Sequence, residues 1–168
     1  LTLAGAGSLL TTTERLYVGY NGTGTANVTS GADLSTTTNY IGTEAGSTGT
    51  LSLSGAGTTW TATGTTYIGS DGTGTLTIEN DADFTATSSR IGEHATGVGT
   101  VTVTGSGSTW ANSSSLHVGG EGTGTLIISD GGVVTNTSGA IGVAAGSTGT
   151  ATVTGAGSIW TNSDNLHI

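Results

Sequence analysis

The chain has 168 residues and a formal net charge of −9, with Arg15 and Arg90 as its only fixed cations. An acidic chain without a basic stripe repels phosphate, which argues against nucleic acid and anionic membrane surfaces as partners. Gly occurs 32 times, Thr is commoner still, only 8% of residues are charged, and Pro, Cys and Met are absent. Gly and Thr are poor helix formers, yet Val, Ile and Leu recur too steadily for a flexible linker. Without cysteine there is no disulfide scaffold. No apolar run reaches the length of a spanning helix, so the segment is not expected to be embedded in a membrane. It opens on Leu1 with no Met and no signal peptide, as a processed or excised piece is expected to do.

In chain order, the first element is LTLAGAGSLL at 1–10, and it returns as LSLSGAGTTW at 51–60, VTVTGSGSTW at 101–110 and ATVTGAGSIW at 151–160. The repeat units are therefore 1–50, 51–100, 101–150 and a partial 151–168, with no gap needed. Each unit is itself double. The dipeptide Gly-Thr recurs at Gly24, Gly49, Gly74, Gly99, Gly124 and Gly149, every 25 residues. Directly after it an alternating strand carries two apolar columns. One is Leu1, Ala26, Leu51, Leu76, Val101, Leu126 and Ala151; the other is Leu3, Val28, Leu53, Ile78, Val103, Ile128 and Val153. Period-two alternation puts both columns on one face and their Thr and Ser neighbours on the other.

Two further columns follow. Leu10, Leu34, Trp60, Phe84, Trp110, Val134 and Trp160 are spaced alternately 24 and 26 residues apart; Val18, Ile41, Ile68, Ile91, Val118, Ile141 and Ile168 alternate 23 and 27. One coil has a longer second side and the next recovers those residues in its corner. Stacked coils of one chain require such compensation. The pattern predicts an all-β, right-handed parallel β-solenoid of about seven coils and about 25 residues per coil, with strands over 50–54, 59–62 and 66–68 in the coil that begins the second unit. Neither end shows a polar cap, so the chain is expected to belong to a longer array or to join others head to tail.

The run VTVTGSGSTW, LHVG, GTGTLII between 101 and 128 resembles a repeat found in bacterial type V autotransporter passengers and PEP-CTERM-type exported proteins. The resemblance covers the whole chain, with Leu10 in place of the first Trp and Thr66 in place of the Leu before Tyr67. It implies an exported β-helix stalk at the bacterial surface, outer-membrane-anchored or secreted, with an adhesive or matrix role toward a host or matrix glycan or protein. It implies no catalytic residues and no cofactor.

The outward residues before the last apolar column form a ladder of Tyr17, Tyr40, Tyr67, Arg90, His117, Ala140 and His167. Members one strand spacing apart are close enough to stack, with Arg90 between Tyr67 and His117, either as a platform for sugar rings or as a stabilising side-chain ladder. His117 and His167 lie two coils apart, too far to share a metal, and His94 falls in a corner. The outward face of the first strand is rich in hydroxyls: Thr50, Thr75, Thr77, Thr100, Thr102, Thr104, Thr150, Thr152 and Thr154 among them. Such a Thr array resembles that of ice-binding solenoids, although Asn27, Glu79 and Ile127 interrupt it and Thr is also a good solvent-facing strand former. Glu79, Asp81 and Asp83 sit on one coil, and the flanking coils place no carboxylate beside them, so the paired acids of a glycosidase groove are not expected. The reading is a structural stalk or adhesin segment, with a self-assembling fibre and an ice-binding module as alternatives, and no enzyme and no metal.

Overall fold

A computed structural model describes all 168 residues. The chain is all-β: three parallel sheets of seven strands each, every strand but those at the two ends of a sheet hydrogen-bonded to the strands one coil before and one coil after. It is a β-solenoid of about seven turns and about 25 residues per turn. At about 4.8 Å per rung the stack is roughly 30 Å long.

First-sheet strands such as Thr48–Ser54, Thr73–Glu79 and Val98–Thr104 have seven residues; second-sheet strands such as Thr59–Ala62 and third-sheet strands such as Thr65–Ile68 have four. The first-sheet strand begins two residues earlier than the sequence predicts, and the third begins one earlier. The predicted columns pair residue for residue: Leu51 with Leu76 and Leu76 with Val101, Trp60 with Phe84 and Phe84 with Trp110, Ile68 with Ile91 and Ile91 with Val118.

The 24/26 alternation has a plain cause in the corners. In the coil starting at Thr48, four residues (55–58) turn the chain from first to second sheet, two (63–64) from second to third, and four (69–72) back. In the coil starting at Thr73 the same turns take three (80–82), one (87) and six (92–97). Both sets total ten, so the first sheet stays in strict register. The wide first corner also braces the tight one beneath it. Thr58 Oγ1 accepts from Gly31 N at 3.0 Å while donating to Ser54 O at 3.0 Å; Ser108 Oγ accepts from Asp81 N at 3.1 Å.

Inside, 25 buried apolar residues form one continuous core. Trp60, Phe84 and Trp110 are fully buried and stacked, at centroid distances of 4.1 and 5.9 Å. Terminal members of the columns, Val153 and Ile168 among them, are exposed. Four apolar columns do not fill the section, however. A fifth inward column (Thr36, Ala62, Ala86, Asn112, Asn136) and a sixth (Leu16, Asn39, Thr66, Ser89, Leu116, Gly139) meet where the second and third sheets join. Their polar members bond to one another: Asn39 Nδ2 donates to Thr66 Oγ1 at 3.1 Å, and Ser89 Oγ donates to Asn112 Oδ1 at 2.6 Å. Buried polar groups are tolerated when paired in this way.

Where these columns meet, Asn39 Oδ1, Asn112 Nδ2 and Trp110 Nε1 are buried without a partner, and the tryptophan has a plain cause. Trp60 Nε1 donates to Thr36 Oγ1 at 2.8 Å, and Trp160 Nε1 donates to Asn136 Oδ1 at 2.7 Å. The equivalent residue for Trp110 is Ala86, which has no acceptor, and Trp110 Nε1 is buried without a partner. An unmade buried hydrogen bond costs about 1–3 kcal/mol. Ala86→Thr is therefore expected to stabilise the protein by about 1 kcal/mol or more. The check is a raised urea midpoint at unchanged slope; an unaltered midpoint would mean that the indole is satisfied in some other way.

Candidate functional site

The ladder predicted on the third sheet exists, in register from Tyr17 through Tyr40, Tyr67, Arg90, His117 and Ala140 to His167. Third-sheet strands place these residues outward because their neighbours on either side face the core. Tyr17 and Tyr40 stack at 5.2 Å and 13°, Tyr40 and Tyr67 at 4.9 Å and 7°, and Tyr20 meets Tyr17 edge-on at 5.0 Å. Arg15 Nη1 donates to the Tyr17 hydroxyl at 3.2 Å. Tyr67 and Tyr17 occupy the two faces of the Tyr40 ring, so an approaching sugar meets ring edges and phenol hydroxyls and finds no free face on Tyr40. Burial raises the Tyr40 phenol above its usual value, helped by Tyr67 and opposed by Arg15.

Arg90 holds its place in the register between Tyr67 and His117, but its head group turns aside. Nη1 pairs with Glu93 Oε1 at 2.8 Å across one corner. Behind this pair lies a cleft of about 200 Å3 lined by Arg90, Glu93, His94, His117, Gly120 and Glu121, among others. The cleft opens because Gly120 has no side chain: a Cβ there would stand 2.8 Å from Glu93 Oε2. Glu93 Oε2 is buried and unpartnered. The sequence reading missed this cleft; a charged Glu93 at the corner position held by Thr43, Ser70 and Val143 in other coils was the available signal.

His117 in this cleft titrates below its usual value, first because burial disfavours the imidazolium and then because Arg90 repels it, with Glu93 acting the other way. The folded state thus prefers neutral His117, and the unfolded chain takes up the proton first as pH falls. Stability should decline as pH drops through about 6.5 and level off below the folded value. We expect His117→Gln to remove that component. Urea midpoints measured between about pH 7 and pH 5 test it; an identical slope in the variant assigns the dependence to other groups.

Two of the acids link neighbouring coils: Asp83 Oδ1 accepts from Thr109 Oγ1, and Asp33 Oδ1 accepts from Thr59 Oγ1 at 2.6 Å. Asp81 sits in a corner at φ +68°. No three His, Asp or Glu side chains converge as a ligand set. Ala140 separates His117 from His167 in the register, and His94 is exposed.

On the first sheet the predicted Thr array is present, with Thr50, Thr75, Thr100 and Thr150 in one column and Thr77, Thr102 and Thr152 in the next, followed by Thr104 and Thr154. The early strand start adds a column absent from the sequence reading: Thr23, Thr48, Thr73, Val98, Thr123 and Thr148. The Thr-Gly-Thr triplet repeated every 25 residues was its sequence signal.

Fold and surfaces together define a parallel β-solenoid repeat protein. The sequence matches no protein-family model, no curated protein and no solved structure.

Proposed function

We propose that this chain is a stiff structural segment of an exported bacterial surface protein, a stalk that displays or itself forms an adhesive surface. The observation that carries the reading is the unbroken register of all three seven-stranded sheets, with every coil totalling the same length despite its unequal corners. A solenoid of this kind is quasi-one-dimensional: each coil contacts only its neighbours, so length can change by whole repeats without redesign. The resemblance to autotransporter and PEP-CTERM repeats supports export and an adhesive role, and the hydroxylated exterior suits a solvated rod.

The test uses the natural protein in its own cells. Antibody against the repeat is expected to label intact cells, and labelling that appears only after lysis overturns export. Deleting residues 51–100 removes one two-coil unit in register, which should leave a folded rod about 10 Å shorter. Adhesion of intact cells to matrix proteins should survive in the deletion with reduced reach. Tyr40→Ser with Tyr67→Ser is expected to lower the melting temperature, since each stacked aromatic pair contributes about 0.5–1.5 kcal/mol, and to leave adhesion intact. Lost adhesion at an unchanged melting temperature would make the tyrosine row the binding platform.

A further inference from the structure

The first sheet differs from the other two in keeping one sequence step from rung to rung. Its strands keep seven residues and a constant 25-residue step from Thr23 to Thr154. The outward columns are not alike. The two nearer the ends of the strands vary: one holds Asn27, Ser52, Thr77, Thr102, Ile127 and Thr152, the other Thr29, Ser54, Glu79, Thr104, Ser129 and Thr154. The two at their beginnings are Thr at every rung except Val98, which keeps the branched shape and lacks the hydroxyl. The interruptions at Asn27, Glu79 and Ile127 therefore lie beside this double column and not in it.

Three properties of the double column point in one direction. None of its threonine hydroxyls bonds to a protein group, whereas Ser54, Thr104 and Ser129 in the varying columns do. Its side chains are exposed or half-exposed and none is charged, in a chain of net charge −9. Each Thr is stiff at χ1 and anchored on a sheet backed by the core, so hydroxyl and methyl are presented in a fixed order before any ligand arrives. Rungs repeat at about 4.8 Å and alternate residues at about 6.6 Å, a regular two-dimensional mesh. A folded protein or a branched glycan has no lattice to match such a mesh. A crystal does, and an uncharged hydroxyl and methyl mesh is complementary to uncharged, hydrogen-bonded water.

We propose that the Thr23–Thr25 double column, from Thr23 to Thr150, is an ice-binding surface. The test is incorporation of the fluorescently labelled 168-residue protein into ice grown slowly on a cold probe, beside a labelled non-binding control protein. The protein is expected to enter the ice many-fold more than the control and to shape ice crystals grown in its solution. Thr75→Lys with Thr125→Lys should return incorporation to the control level at an unchanged melting temperature. Should that pair disturb the fold, Thr75→Ser with Thr125→Ser, which removes only the methyls, is expected to lower incorporation severalfold. Val98→Thr should keep it at least as high, and Thr85→Lys on the second sheet should not alter it. Exclusion of the parent protein from ice overturns the proposal, as does full incorporation of the folded variants in which Thr75 and Thr125 are replaced. Capture on microcrystalline chitin or cellulose without entry into ice would also overturn it, assigning the mesh to a crystalline polysaccharide.

Discussion

Trp110→Ala is expected to destabilise the protein by about 3–5 kcal/mol, the range for truncating a fully buried large aromatic. Trp110 is fully buried, stacks on Phe84 at 5.9 Å and 13°, and pairs with Val134 in the next coil. Its removal opens a void between two rungs in the middle of the stack, where neither sheet nor corner can collapse without breaking register. Because stability in a solenoid is a sum of coil and interface terms, the two halves on either side should also uncouple, broadening the urea transition. Removing only the indole nitrogen separates packing from hydrogen bonding. Trp110→Phe loses an N–H that has no acceptor, whereas Trp60→Phe leaves Thr36 Oγ1 without its 2.8 Å donor. Trp60→Phe should therefore cost more than Trp110→Phe by about 1 kcal/mol. Equal losses, or a Trp110→Ala protein with the parent's midpoint, would contradict the assigned packing.

The apolar columns were legible because their period is that of the rung itself, and an error of one residue would have turned Leu76 or Trp110 outward. Trp60, Phe84 and Trp110 came out in one line despite unequal spacing, since the corners compensate within each fifty-residue unit. The polar interior was not legible. Asn39, Ser89 and Asn112 look like surface residues in any short window, and only the meeting of two sheets shows that they face one another. The strand start at Thr48 was not legible because Gly is depleted in strands, so Gly49 gives no strand signal although it lies inside Thr48–Ser54. Arg90 was placed correctly by register and wrongly by contact, because its guanidinium chose the nearer charge of Glu93 over the Tyr67 ring. Register follows from sequence period, whereas side-chain partners depend on corners whose lengths differ from coil to coil.

That same Gly49 column carries the second large effect. Gly99→Ala is expected to cost about 3 kcal/mol or more, at the top of the range for overpacking. The backbone at Gly99 is an ordinary strand, so no left-handed conformation is at stake. The difficulty is space: a Cβ there would lie 2.1 Å from Ile68 O and 2.7 Å from Gly92 N. Those two atoms are themselves hydrogen-bonded at 2.9 Å, forming the rung-to-rung link where the third sheet ends. Neither can retreat without opening that link, and both belong to backbone, so no side-chain rotation relieves the contact. A useful contrast is Gly146→Ala, where φ is +86° but no atom lies within 4 Å of the added carbon. That variant should lose only the left-handed backbone penalty of about 1–2 kcal/mol. Amide exchange adds a local readout: the Gly92 N–H, protected in the parent by Ile68 O, should exchange faster in Gly99→Ala and remain protected in Gly146→Ala. If the two variants melt together, or if Gly92 stays protected in both, then the first and third sheets do not close upon one another at this glycine.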